Sequence, residues 1–226
     1  MYENRWFMVW LLCNEKNKYR HNILYKFMTE ERKLQYDQTY MNMAIVLSGL
    51  SYAERSKVGC IIVSEDNQII SQGFNGMPKG FDNCCEYYSV KDTNKCAMCS
   101  QEHCEGCENY VLTTKKEVLH AETNAIAKCA KWCTSTENAT IYVTLSPCID
   151  CAKMIVQTEI SRLVYYEEYR DLSGIKLLLK AGIKVQRLVP MQNGVLALVD
   201  VNDEYFKMLD YHKNKKWKIF HLHIRQ

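Results

Sequence analysis

The chain has 226 residues, 47% of them hydrophobic, and its 29 Lys and Arg against 26 Asp and Glu leave a net charge of +3. That length buries one substantial core with at most an appended subdomain. The charge is too mild for a binder of duplex or long single-stranded nucleic acid, which carries an obvious basic footprint, and no apolar run is long enough to cross a bilayer.

Residues 1–27 contain the apolar run Trp6 to Cys13, ended by Asn14, Glu15 and Lys16, with Lys18 and Arg20 after it. A secretory signal places its basic residues first, so we expect an N-terminal extension of low order here, with the working domain starting near residue 28. Tyr36 to Tyr52 reads as a helix that offers Tyr40, Met43, Ile45, Val46, Leu47 and Leu50 to the core. Val58 to Ser64 and Gln68 to Gly73 read as two strands joined through Glu65-Asp66-Asn67, a hairpin. Arg55 and Lys57, just before the first strand, suit a phosphate through charge-assisted bonds, although a solvated helix end accounts for them equally well.

Residues 80–112 break the regularity. They hold Cys84-Cys85 and then two CxxC pairs, Cys96 with Cys99 and Cys104 with Cys107, separated by four residues. So polar a segment cannot build its own apolar core, and four thiolates on one zinc would order it. We therefore read a second, structural zinc on Cys96, Cys99, Cys104 and Cys107, with His103, Cys84 or Cys85 as alternative donors. Disulfides or reduced, unrelated thiols are the competing explanations; disulfides are disfavoured because the catalytic cysteines must stay reduced and nothing marks the chain as secreted.

His120-Ala121-Glu122 opens an amphipathic helix whose apolar side is Ala125, Ile126, Cys129, Ala130 and Trp132. Thr140 to Leu145 reads as a buried strand, Ser146-Pro147 as a junction where proline is tolerated, and Cys148 to Val156 as the next helix. Arg162 to Tyr166 is a strand, Asp171 to Lys180 a helix stopped at Ala181-Gly182, and Ile183 to Val189 a strand. The order αββαβαβαβ predicts a mixed sheet covered by helices on both faces. The main domain is read as 28–190 and residues 191–226 as a C-terminal extension, its basic run from His212 to Lys218 a solvated tail. Tyr165, Tyr166 and Tyr169, after a buried strand, are read as core or subunit contact ahead of substrate contact.

The chemistry sits in His120 and Glu122 together with Pro147-Cys148-Ile149-Asp150-Cys151. A CxxC alone serves redox or structural roles as readily as catalysis. Joined to an upstream HxE on a helix, it becomes the HxE…PCxxC arrangement of a hydrolytic zinc deaminase. One imidazole and two thiolates leave the fourth zinc position to water, which ionises near neutral pH and adds to the amidine-like carbon of an aminopyrimidine or aminopurine. Glu122 is not needed as a ligand and is assigned the proton transfers. Both cysteines fall at a helix start, where the thiolate is favoured.

The segments HAETNAI, YVTLSPCIDCAK, Lys57 to Val63 and Gly73-Phe74-Asn75-Gly76-Met77-Pro78 resemble the deoxycytidylate (dCMP) deaminases of the cytidine and deoxycytidylate deaminase superfamily, phage and viral members above all. The likeness runs from about Tyr40 to Leu188; Ser146-Pro147-Cys148 stands where tRNA adenosine deaminases usually show EPC, and the reductase domain of riboflavin-pathway deaminases has no counterpart. The resemblance implies an α/β three-layer cytidine-deaminase-like fold with residues 80–112 as a cysteine-rich insertion, catalytic zinc on His120, Cys148 and Cys151, and Asn75 as a holder of the nucleotide. It also implies a homo-oligomer, hexameric in form, dCTP and dTTP as allosteric ligands, and action in the cytoplasm, the host's if the chain is virus-encoded. A second zinc near the substrate loop is known in some phage members with another ligand set.

The resulting expectation is deamination of dCMP to dUMP and ammonia. Three alternatives stay open: dCTP or a modified dCMP as substrate, a base in tRNA or single-stranded DNA, and a non-catalytic zinc-binding interaction module. The retained Glu122 argues against the last, because a purely structural metal has no use for an uncoordinated acid beside it.

Overall fold

The computed structural model describes residues 30–90, 110–190 and 196–214. Residues 1–27, the proposed donors Cys96, Cys99, Cys104 and Cys107 with His103, and the basic residues from Lys215 onward lie outside the described residues. The chain forms two compact units, Met1–Thr39 and Tyr40–Gln226. Of the first, residues 30–39 are described, the opening turns of helix α1 (Glu30–Ser48), where the Arg32 guanidinium donates to Gln35 Oε1 at 3.4 Å and lies over the Tyr36 ring.

The second unit is built on strands β1 (Gly59–Val63) and β2 (Ile69–Phe74), helix α2 (Ala121–Lys131), strand β5 (Thr140–Leu145), helix α3 (Ile149–Gln157), strand β6 (Arg162–Glu167), helix α4 (Ser173–Lys180) and strand β7 (Lys184–Pro190). Strands β3 (Glu86–Val90) and β4 (Tyr110–Thr114) lie between β2 and α2 in sequence, and β8 (Leu196–Asp200) with helix α5 (Asp203–Asn214) follows β7. The main sheet has the order β2-β1-β5-β6-β7-β8. β5, β6 and β7 run parallel, whereas β1 and β2 on one side and β8 on the other are antiparallel to their neighbours. This is the mixed α/β sheet that the alternating elements predict.

Alternation along the strands sorts side chains to two faces. Cys60, Ile62, Ile141, Val143, Leu163, Tyr165 and Val185 share a core with Ala125 and Ile126 of α2, Ala152 and Ile155 of α3, and Ile175 and Leu178 of α4. On the other face the Tyr40 ring of α1 packs 5.2 Å from that of Tyr142, and its hydroxyl donates to Asn67 O. Gly59 is required there, because an added Cβ would stand 1.9 Å from the Ala44 carbonyl oxygen. The buried side of α1 is accordingly Tyr40, Met41 and Ala44, while Met43, Ile45, Val46 and Leu50, expected in the core, are exposed. Apolar residues run all round this helix, so periodicity alone does not choose a face; the main-chain approach at Gly59 does.

Two features extend beyond the sequence reading. Within 80–112, β3 and β4 pair as an antiparallel ribbon with Glu86 opposite Thr114 and Val90 opposite Tyr110, at the two ends of the cysteine-rich stretch. Cys85 is buried with Ala53 and Val118, and Cys84 donates its thiol hydrogen to Glu86 O. Within 191–226, assigned to an extension, β8 completes the sheet as a sixth strand and α5 follows it. Gln186 of β7 bridges there, accepting from Arg162 Nε at 2.7 Å and donating to Asp200 Oδ1 at 2.6 Å, while Val201 and Tyr205 enter the main core.

Candidate metal centre

The two helix starts that carry the signature face each other above the sheet. His120 is the N-cap of α2 and Cys148 the N-cap of α3, both with extended backbone, and their carbonyls accept the first helical bonds, from Asn124 N and Ala152 N at 2.9 Å each. Glu122 and Cys151 fall in the first turns. α2 is fixed on β2 by Asn124 Nδ2 donating to Phe74 O, Lys128 Nζ to Gln72 O and Ser71 Oγ to Ala125 O. At Gly73 an added Cβ would lie 2.2 Å from Ala121 O, so the first turn rests directly on strand main chain. α4 abuts the other turn in the same way: a Cβ on Gly174 would meet Pro147 O at 2.2 Å.

His120 Nδ1 stands 3.3 Å from Cys151 Sγ and 3.5 Å from Cys148 Sγ, and the three donor atoms all lie within 4.8 Å of one another. Tetrahedral zinc with nitrogen at about 2.0 Å and sulfur at about 2.3 Å sets nitrogen–sulfur separations near ~3.5 Å, so the donor set fits that ion. One sulfur is poised for it as thiolate and the other is held as the thiol that bonds to it, so the helix start favours ionisation at Cys148 and not, without metal, at Cys151. A hydrogen bond from Cys151, seconded by His120, pulls the Cys148 thiol from 9.0 down to about 4, while that shared proton and burial push Cys151 well up. His120 is raised by its bond to Cys148.

Glu122 is buried beside these donors. Burial pushes its carboxyl from the ordinary 4.5 up to about 7, against the opposing pull of its own backbone N–H and of His120. Such a carboxyl exchanges protons near neutral pH, as a general acid and base should.

A cavity of about 400 Å³ opens onto this group. Besides His120, Glu122 and Cys148 its walls include Arg55, Ser56, Val58, Asn75, Glu86, Thr114, Ser146, Glu168, Tyr169 and Arg170. Asn75 is thus at the cavity, and its amide is engaged with the chain: Oδ1 accepts from Val58 N and Nδ2 donates to Ser56 O, both at 2.8 Å. The paired bonds between Gly76 and Leu119 hold this turn against the residue before His120. Arg55 reaches the cavity, donating to Thr114 Oγ1, with its backbone N–H and that of Glu54 on the two oxygens of buried Glu86. Lys57 is exposed and is not among the walls. Of the three tyrosines, Tyr165 is fully buried in the core and Tyr169 lines the cavity.

Glu86, Ser146, Glu168 and Arg170 are cavity residues that the sequence reading did not select. Ser146 lies inside the SPC motif, and its hydroxyl accepts from Tyr169 N at 2.8 Å, tying the wall to the metal-binding turn. No local pattern distinguishes Glu86 or Glu168 from solvated acids.

Donors spaced for zinc, with a buried acid that is not one of them, define a zinc hydrolase centre of the deaminase class. Comparison with known proteins agrees: the chain belongs to the family whose model is described as the cytidine and deoxycytidylate deaminase zinc-binding region, matched over residues 34–167. Deoxycytidylate deaminase of Enterobacteria phage T4 is 37% identical over 177 residues, 69% of this chain and 90% of the relative, and the human enzyme is 30% identical over 162 residues, 70% and 82%. Among solved structures, the dCMP deaminase of cyanophage S-TIM5 in complex with dCMP and dUMP superposes with a TM-score of 0.55 at 35% identity, covering 71% of this chain and 98% of that one.

Proposed function

We infer that the chain hydrolyses dCMP to dUMP and ammonia, supplying dUMP for thymidylate synthesis. The observation that carries this reading is the buried Glu122 beside the His120–Cys148–Cys151 donors, lining a cavity whose walls also include Arg55 and Arg170. Zinc held by His120, Cys148 and Cys151 supplies, when bound, a water acidic enough to be used near neutral pH. Glu122 takes one proton of the attacking water and gives it to ring nitrogen 3 as carbon 4 is attacked, then takes the second from the new carbon-4 hydroxyl and passes it to the amine as the carbon–nitrogen bond breaks and the carbonyl forms. Water is consumed and ammonia released, with no other reactant needed. Arg55 and Arg170 hold the phosphate by charge-assisted bonds, with Lys57 adding positive charge outside the walls. Asn75 shapes the nucleotide wall by fixing residues 56–58.

Steady-state rates across dCMP, dCTP, 5-modified dCMP, a tRNA and a single-stranded oligonucleotide, with Glu122→Ala as the blank, test this. Turnover of dCMP in the wild type alone is expected. Turnover of an oligomer without the mononucleotide would transfer the chain to base editing in nucleic acid, and no turnover at all would leave the zinc-binding interaction module.

A structural zinc on Cys96, Cys99, Cys104 and Cys107 belongs to the same proposal, supported by the two CxxC pairs and by the β3–β4 ribbon at either end of that stretch. Two zinc ions per chain are expected by metal analysis, and one in Cys96→Ser/Cys99→Ser. Self-association, as a hexamer, is supported by the exposed Met43 and Val46 of α1 with Leu50 in the turn after it, and sedimentation of Val46→Glu against wild type tests it. Control by dCTP and dTTP is read through the rate response to each nucleotide. No helix among the described residues is long and apolar enough to cross a membrane, and action in the cytoplasm is the matching proposal.

A further inference from the structure

Three carboxylates line the cavity, and their polar atoms are committed differently. Glu122 is the proton carrier. Both oxygens of Glu86 accept from backbone N–H groups, those of Glu54 and Arg55. Glu168 is held through one oxygen only. Its Oε1 receives the Tyr205 hydroxyl and lies 3.0 Å from Arg187 Nη1, and Arg187 Nη1 in turn donates to the Tyr205 oxygen at 2.9 Å. Arg187 is itself anchored by Nε donating to Tyr166 O. Oε2 has no partner among the described residues, and Glu168 contributes to the cavity wall next to Tyr169 and Arg170.

A carboxylate so braced presents one fixed, unclaimed acceptor. Resting on the dCMP reading, its partner follows by elimination. A deoxycytidine monophosphate offers two kinds of hydrogen-bond donor, the exocyclic amine and the sugar hydroxyl, since its phosphate at neutral pH is an acceptor and is drawn to the arginines. The amine stands on the carbon that must lie against Glu122 and the metal donors. We propose that Glu168 Oε2 accepts a hydrogen bond from the sugar hydroxyl of the nucleotide, and that Arg187 and Tyr205 are positioning residues that aim it. The inference gives the C-terminal helix a part in substrate choice, because Tyr205 belongs to α5.

A site built to bond a hydroxyl rejects the analogue that lacks it far more strongly than an apolar site does. The test compares kcat/KM for dCMP with that for 2′,3′-dideoxycytidine 5′-monophosphate, in zinc-loaded wild type, Glu168→Ala and Tyr205→Phe. Wild type should favour dCMP by at least about tenfold; Glu168→Ala should lose most of that preference, and Tyr205→Phe part of it, mainly through KM for dCMP. Zinc content and melting temperature are measured on each sample, and if Glu168→Ala fails to fold, Tyr205→Phe carries the test, since it removes a single hydroxyl. Unchanged preference in a folded, zinc-loaded variant, or no preference in the wild type, overturns the assignment. A wild type inert toward dCMP instead overturns the parent reading.

Discussion

In the proposed reaction the acid at residue 122 has two tasks that pull in opposite directions: it must be dry enough to hold a proton near pH 7 and close enough to the donors to use it. The folded chain without metal binds that proton up to about pH 7, whereas the unfolded chain releases it near 4.5. At this group the folded form therefore binds more protons between those values, and its contribution to the stability of the metal-free protein falls as pH rises through that window, by about 3 kcal/mol, opposite in sign to the contribution of Cys148, whose thiol is held below its ordinary value. Denaturant unfolding of zinc-stripped wild type and Glu122→Gln from pH 4.5 to 7.5 checks this; the wild type should lose stability relative to the variant as pH increases, and parallel curves would contradict it. His120, Glu122, Cys148 and Cys151 were all legible in the sequence because liganding chemistry restricts which residue types serve. Glu168 and Arg170 were not, since a charged residue at a strand end looks the same whether it meets water or a substrate.

At the level of helices and strands, the two metal-binding turns are supported by glycines. Gly174→Ala places a methyl group 2.2 Å from Pro147 O, and that oxygen belongs to main chain that cannot swing away. Overpacking of this kind costs about 1–3 kcal/mol, so the variant should melt lower and bind zinc less tightly. Thermal unfolding and competition with a colorimetric zinc chelator measure both, and an unchanged zinc affinity would show that α4 yields without moving Cys148. The hairpin, the motif helices and the parallel strands were readable because their periodicities are clean. The buried side of α1 was not, since its apolar residues surround the helix and a backbone contact decides. The ribbon β3–β4 was hidden because abundant cysteine and polar residues directed the reading to metal ligation rather than to strand pairing.

For the molecule as a whole, β8 and α5 belong to the folded core. Removal of residues 191–226 would uncover β7, strip Val201 and Tyr205 from the main cluster and leave Gln186 without Asp200. Burial of each large apolar side chain is worth about 1.5–3 kcal/mol, and an exposed strand edge invites association. The truncated chain should therefore melt well below the full one and aggregate, as calorimetry and light scattering would show; an equally stable monomer would make the segment dispensable. Residues after 190 gave no strong strand signal because β8 is short and only half-buried on an edge, where patterning relaxes.

The glycine supports have one more consequence. Peptide oxygens rather than side chains set the clearance between the two turns and what lies beneath them, so the separation of imidazole from thiolates depends on Gly73 and Gly174 staying without side chains rather than on which side chains line the cavity. The cavity wall also includes Arg55, Glu168, Tyr169 and Arg170, whose long polar side chains can be exchanged without touching those glycines. Selectivity can therefore be rewritten by substitution at those positions while the grip on the ion keeps its dimensions, which makes this scaffold suited to acquiring new nucleotide preferences without first rebuilding its reaction centre.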